Sequence, residues 1–94
     1  MLDIRVSEDG VVALNGRLDA SESDHALAEL NKLAGPLTLD CTELEYISSA
    51  GISVIIQTYK RLTAQGQALK FTGMAPRVKN VFVYAGLAKL LGID

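Results

Sequence analysis

One stretch of the chain, residues 45–56, constrains the fold more than any other. It leaves an apolar, strand-like segment, crosses the adjacent hydroxyl residues Ser48 and Ser49, and enters the longest amphipathic run in the sequence. Apolar residues recur in that run at spacings of three and four, which is typical of a helix with one buried face. The pattern therefore predicts a tight turn that leads into a helix, with both hydroxyls at the helix start.

Two serines at a helix start have a structural and a chemical interpretation. The first turn of a helix leaves backbone N–H groups without intrahelical partners, and a serine oxygen often accepts a hydrogen bond from one of them. The same N–H groups and the helix dipole favour a phosphate. From the residues alone, Ser48 and Ser49 are candidates for a helix cap, a phosphoacceptor or both, and the cap is the commoner role.

The rest of the chain alternates between strand and helix patterns. An Asp-Gly pair between two short apolar segments predicts an opening hairpin. Ser21 with Asp24 three residues on predicts a helix start, and Pro76 fits the first turn of another helix. The predicted order is a strand at 3–7, a strand at 11–14, a helix after Ser21, a strand at 37–41, a helix at 50–64, a strand at 68–72 and a helix from Pro76.

The expected fold is a single α/β domain over residues 1–94 with a mixed sheet. Right-handed crossovers make the second, third and fourth strands parallel, and the hairpin makes the first antiparallel. Residues 37–41 alternate between apolar and polar, which predicts one sheet face that is only partly covered and helices mainly on the other. The sheet has four strands, or five if the apolar tail at 87–93 adds a fragment of strand after one helical turn.

Composition excludes several classes of function. A formal charge of −2 and the absence of Trp argue against a nucleic-acid binder, which would show a basic stripe. No apolar run approaches the roughly 20 residues of a membrane helix, and the N-terminus lacks a signal-peptide pattern. We therefore expect a cytoplasmic protein that does not insert into a membrane. The single Cys41 cannot form an internal disulfide, and with a single His it does not make a zinc site.

No residue is predicted to be catalytic. A serine hydrolase would need a base beside Ser49, and the only imidazole, His25, lies in the first helix with no sign of being aimed at it. The glycine patterns of nucleotide-binding loops are missing, so no cofactor is expected. Four acidic residues could surround the serines if neighbouring loops converge, but solvated turn residues are commoner and no metal site is predicted: Asp19, Asp40, Glu43 and Glu45.

Nearly the whole chain resembles the STAS domain, and within it the small stand-alone anti-sigma factor antagonists. The resemblance rests on four segments: Gly16-Arg17-Leu18-Asp19 (family Gly-x-Leu-Asp), Leu39-Asp40-Cys41-Thr42 (Leu-Asp-Leu-Ser), Tyr46-Ile47-Ser48-Ser49-Ala50-Gly51-Ile52 (the phosphorylation loop) and Ala85-Gly86-Leu87 (Ser-Gly-Leu). The most familiar form of the loop is Asp-Ser-Ser-Gly, with the first serine phosphorylated. Laid on that form, Ser48 replaces the Asp, Ser49 is the acceptor and Gly51 is retained.

The resemblance implies a partner switch in which the chain is a substrate rather than an enzyme. The unphosphorylated form would bind an anti-sigma factor that is also a serine kinase of the histidine-kinase-like ATPase fold. Phosphorylation at Ser49, with Ser48 as the alternative acceptor, would release it, and a PP2C-type phosphatase would restore binding. The alternative is a non-phosphorylated STAS scaffold subunit of a lipid-transport or stress-signalling complex. The docking face is predicted to contain Arg17, Asp19, Ser21, Ser48, Ser49, Gly51, Ser53, Gln57, Lys60 and Arg61.

Overall fold

Five strands and four helices alternate along residues 1–93, the part of the chain that the computed structural model describes. None of these helices has the length and apolar content needed to cross a bilayer. The elements are β1 Leu2–Val6, β2 Val11–Leu18, α1 Ser23–Asn31, β3 Leu37–Asp40, β4 Leu44–Ile47, α2 Ser49–Ala64, β5 Leu69–Thr72, α3 Pro76–Tyr84 and α4 Ala88–Leu91.

Strand β2 is the centre of the sheet. On one side it pairs antiparallel with β1, so the predicted hairpin is confirmed. On its other side it pairs parallel with β3 through its first residues and parallel with β4 through its last ones, and β5 then pairs parallel with β3. The predicted mixture of one antiparallel and several parallel strands is therefore confirmed.

The fifth strand is not where the sequence placed it. It is β4, immediately before the serine pair, whereas the tail forms the one-turn helix α4 and no strand within residues 1–93. Strand β2 also continues to Leu18, four residues past the predicted end at Leu14. Gly16, with φ +110°, and a register shift beside it break the apolar alternation there, but main-chain pairing to β1 and β4 continues the strand.

Alternate strand residues point into a core that the helices cover. Val12, Leu14 and Leu39 are completely buried, and helices α2 and α3 add Ile55, Leu62 and Phe82. The opposite sheet face is open to solvent, as predicted from the alternation in β3, and presents Asp3, Arg5, Thr38, Asp40, Lys70 and Thr72. Cys41, which directly follows β3, is buried in the core, and burial raises the pKa of its thiol to about 12.

The helix starts differ in how they are capped. Helix α1 begins where the sequence indicated, but its N-cap is Glu22 and no side chain caps it, so the capping by Ser21 that the sequence suggested is absent. The Ser21 hydroxyl donates to Asp19 instead. Pro76 occupies the first turn of α3, as predicted. Helix α2 is capped by a side chain, and that cap shapes the site.

Candidate functional site

Ser48 is the N-cap of α2 and ties the helix start to β2. Its N–H donates a hydrogen bond of 3.0 Å to the carbonyl of Leu18, and its hydroxyl lies 3.5 Å from the same oxygen. Ser48 Oγ accepts a hydrogen bond of 3.2 Å from the N–H of Gly51, which pairs one of the N–H groups that a helix start leaves free. The structural role expected of a serine at this position therefore belongs to Ser48.

Ser49 is the first residue of α2 and has an exposed side chain. Its hydroxyl takes part in none of the side-chain hydrogen bonds formed within residues 1–93, whereas that of Ser48 is engaged. The residue lies at the carboxyl end of β4, next to the carboxyl end of the parallel strand β2. An outside enzyme can reach this oxygen, and a negative charge on it would stand at the positive end of the α2 dipole.

Gly51 allows the helix start to lie directly on β2. A Cβ atom at this position would be 2.5 Å from the carbonyl oxygen of Leu18 and 2.8 Å from side-chain carbons of Leu18 and Ile47. Those distances are far shorter than real contacts of a Cβ atom, so a larger residue would push α2 away from the sheet. Glycine at this position therefore lets the helix start approach the backbone of β2 closely.

Asp19 adds a negative charge beside the serine turn, because it directly follows the Leu18 carbonyl that Ser48 binds. Its Oδ1 accepts hydrogen bonds of 2.7 Å from the Ser21 hydroxyl and 3.1 Å from the Ser21 N–H. The hydroxyl of Ser21 lowers the pKa of the Asp19 carboxyl, which is thus ionised at neutral pH. A phosphate added at the adjacent turn would meet a charge of the same sign.

Arg17 stacks on Tyr46, a contact that the sequence analysis missed. The guanidinium carbon is 4.3 Å from the centre of the Tyr46 ring, and Arg17 Nε is 3.9 Å from Asp19 Oδ2. The register of β2 and β4 places Arg17 opposite Tyr46, so a strand assigned at 44–47 would have revealed the pair. Both side chains are exposed, and they extend the site from the serine turn onto the open sheet face.

The outer side of α2 divides into an exposed part and a structural contact. Ser53, Gln57 and Lys60 are exposed, and Gln57 Nε2 donates to Ser53 Oγ at 3.3 Å. Arg61 is half-buried instead, and its Nη2 donates a hydrogen bond of 2.9 Å to the carbonyl of Leu30 near the end of α1. Helical spacing had placed Arg61 on the outer face, but its guanidinium reaches the Leu30 carbonyl in the last turn of α1, where the helix dipole favours a cation. Contact of these four residues with a partner stays a prediction.

The remaining candidate residues, considered for catalysis or metal binding, are not brought together. His25 Nδ1 lies 3.8 Å from Glu22 Oε1, and no hydrogen bond within residues 1–93 links it to Ser49. Asp40 Oδ1 accepts hydrogen bonds from the N–H and hydroxyl of Thr42 and so closes the turn after β3. In the described part of the chain, no three acidic, His or Cys side chains form a group that could hold a metal ion.

A mixed sheet with helices on one face and a serine turn at its rim defines an α/β domain of the SpoIIAA-like fold. The structure superposes on the anti-sigma factor antagonist SpoIIAA in its unphosphorylated form with a TM-score of 0.70 at 14% identity, covering 89% of this chain and 83% of that one. The Bacillus SpoIIAA structure in the phosphorylated form gives a TM-score of 0.72 at 16% identity, covering 95% and 86%.

The chain belongs to the STAS domain family, because the family model described as "Mlab, STAS domain" matches residues 3–92. It is similar to the anti-sigma-B factor antagonist of Bacillus subtilis (strain 168), with 24% identity over 97 residues that cover 99% of this chain and 89% of the relative. It is also similar in fold to tm1081 of Thermotoga maritima, assigned to the anti-sigma factor antagonists, with a TM-score of 0.80 and 21% identity over 97% of this chain and 83% of that one.

Proposed function

We propose that this STAS domain is an anti-sigma factor antagonist in a partner switch, with Ser49 as its phosphoacceptor. The unphosphorylated form binds an anti-sigma factor that is also a serine kinase of the histidine-kinase-like ATPase fold. Phosphorylation releases that partner, and a PP2C-type phosphatase restores binding. The chain works in the cytoplasm as a substrate and not as an enzyme.

The single observation behind the proposal is the difference between the two adjacent serines. Ser48 uses its oxygen to cap α2 and is half-buried, whereas the Ser49 oxygen is exposed and makes no hydrogen bond in the described residues. A kinase needs a hydroxyl that can enter its active site without breaking the substrate's fold. This geometry favours Ser49 over Ser48 as the acceptor.

Phosphate at Ser49 acts through charge and bulk with little change of fold. It adds about −1.5 to −2 charges at the first position of α2, where free N–H groups and the helix dipole tolerate an anion. In the docked complex the same group is placed between two surfaces beside the ionised Asp19. Repulsion and lost contact then weaken the complex while helix 50–64 stays intact.

The docking face extends from the loop after β2 to the exposed side of α2. Arg17, Asp19 and Ser21 lie at one end of this surface, next to the serine turn held by Gly51. Ser53, Gln57 and Lys60 continue it along the helix. Arg61 belongs to it only through the edge of its half-buried side chain, since its guanidinium binds α1.

Intact-mass spectrometry tests the acceptor. The wild-type protein is incubated with ATP and each serine kinase encoded beside its gene, in parallel with Ser49→Ala and Ser48→Ala. We expect one phosphate on the wild type and on Ser48→Ala and none on Ser49→Ala. A phosphate on Ser49→Ala that is missing from Ser48→Ala would move the acceptor to Ser48.

The same experiment separates the switch from a scaffold subunit that never meets a kinase. A kinase that phosphorylates another substrate but leaves the wild-type protein unmodified would favour the scaffold. Ser49→Asp in a binding assay with the kinase gives a second measurement. We expect it to bind at least about tenfold more weakly than Ser49→Ala, because a charge at this position opposes docking.

A further inference from the structure

The charge of the chain is strongly segregated, although the formal total is only −2. Residues 1–45 contain ten Asp or Glu and three Lys or Arg, whereas residues 46–94 contain six Lys or Arg and a single acidic residue, Asp94. Helices α3 and α4 include Arg77, Lys79 and Lys89. Within residues 1–93, none of these three cations pairs with a carboxylate. Helices α3 and α4 thus form a region of positive charge among residues 1–93.

An apolar cleft lies within the same positive region. It has a volume of about 340 Å³ and is lined by Val83, Gly86, Ala88 and Lys89, at the junction of α3 and α4. A Cβ atom at Gly86 would meet nothing within 4 Å, so the cleft is open at that point. Lys89 lines one side of the cleft. Lys79 precedes Val83 by four residues on α3, so Lys79 and Val83 lie on the same face of that helix.

Three large apolar side chains of α3 and α4 are exposed instead of being buried, and one of them, Val83, lines the cleft. Val83 is 46% exposed, Tyr84 86% and Leu90 56%. Most other large apolar side chains of α2 and α3 are buried or half-buried, including Ile55, Phe82 and Val78. Exposed apolar side chains on adjacent helices, one of them in a cleft that a lysine also lines, are typical of a binding surface.

We propose that this α3–α4 cleft docks an acidic amphipathic segment of a protein partner. An apolar side chain of the segment enters the cleft against Val83 and Ala88, and its Asp or Glu residues pair with Lys89 and Lys79. A concave pocket of this size fits one large side chain, which favours a peptide over the smooth surface of a membrane. The surface lies on α3 and α4, whereas the serine turn lies on α2, so the proposal does not depend on phosphorylation.

Fluorescence anisotropy tests the surface on the full chain. The probe is a labelled helical peptide with Leu on one face and Glu on the other, and its counterpart has Lys in place of Glu. We expect the wild-type protein to bind the Glu peptide and not the Lys peptide. Lys89→Glu and Val83→Ser should each weaken binding of the Glu peptide by about fivefold or more, because each removes one part of the recognition.

Two matched variants control for general effects of charge and surface. Lys70→Glu makes the same charge change on β5, and Val6→Ser removes an exposed valine from β1. Both should bind within about twofold of the wild type, since neither residue lines the cleft. Circular dichroism confirms that every variant is folded.

Several results would overturn the proposal. These are equal affinity for the two peptides, failure of the Glu peptide to bind, or equal losses in Lys70→Glu and Lys89→Glu. Vesicles of phosphatidylglycerol provide the comparison with a lipid surface. The peptide assignment is wrong if the Glu peptide does not bind and the vesicles bind the wild-type protein but not Val83→Ser or Lys89→Glu. The surface would then recognise lipid.

Discussion

Replacing Gly51 with alanine tests whether the serine turn is held by the direct contact of α2 with β2. The added methyl carbon would lie 2.5 Å from Leu18 O and 2.8 Å from Ile47 Cγ1, where ordinary contact begins at 3.4 Å. The helix start must therefore retreat by up to about 0.9 Å, because a backbone carbonyl and buried core side chains cannot move aside. That retreat stretches the 3.0 Å hydrogen bond from Ser48 N–H to Leu18 O.

Two opposing terms set the size of the effect. Overpacking of this kind costs about 1–3 kcal/mol, while alanine gains up to about 1 kcal/mol over glycine in helix propensity. With a mid-range overpacking cost of about 2 kcal/mol, Gly51→Ala should lower the free energy of unfolding by about 1–2 kcal/mol. For a domain of this size that corresponds to a fall in Tm of about 5–15 °C.

Urea denaturation followed by circular dichroism measures the change. Ser53→Ala is the matched control, since it adds an alanine to the exposed side of the same helix and should change stability by less than about 0.5 kcal/mol. If Gly51→Ala is as stable as the wild type or more stable, the helix start is not held against β2 as described. The physical account of the serine turn would then be wrong.

Three further predictions concern the cap, the contact between α1 and α2, and the buried thiol. Ser48→Ala should lower the free energy of unfolding by about 1 kcal/mol and Ser49→Ala by less than about 0.5 kcal/mol, because only Ser48 caps α2. Equal losses of the two variants in urea denaturation would contradict this prediction. Arg61→Ala should cost about 1–2 kcal/mol, because it deletes a charged donor to Leu30 O, and an unchanged urea midpoint would refute the contact. Burial raises the pKa of Cys41 from 9.0 to about 12, so a thiol reagent at pH 8 should label the folded protein slowly and the urea-unfolded protein quickly. Immediate labelling of the folded protein would refute the burial of Cys41. Folding disfavours the thiolate, so the contribution of Cys41 to stability is complete below pH 9 and is lost between about pH 9 and 12. Cys41→Ala should lack this part of the fall in the free energy of unfolding with pH.

The local patterns of the chain predicted most of its elements correctly. The hairpin, the helix after the serine pair and the proline at the start of α3 each follow from a short run of residues with a defined periodicity or turn chemistry. Residues 45–47 look strand-like, but the predicted order counts no strand there, because the run Leu44-Glu45-Tyr46-Ile47 is short and does not alternate regularly between apolar and polar residues. Its place in the sheet depends on pairing with β2, which is far away in the sequence.

The site was predicted in kind but not in detail. Sequence placed two serines at a helix start and left open which would cap it, because both residues have the same side chain. The choice depends on Leu18 O, which binds the N–H of Ser48 from 30 residues away in the chain. Arg61 shows the reverse case, where helical spacing indicated a solvent-facing residue and the neighbouring helix provided a buried carbonyl as its partner.

The sequence by itself determined the order of elements, the buried faces and the presence of hydroxyls at the start of α2, since these depend on periodicity and turn chemistry over a few residues. Only the tertiary structure decided that Ser48 is the cap and Ser49 the reachable hydroxyl, that Tyr46 lies under Arg17, and that Lys89 lines an apolar cleft between α3 and α4. Those features depend on contacts between segments that are distant along the chain, and such contacts leave no local pattern from which they could be predicted.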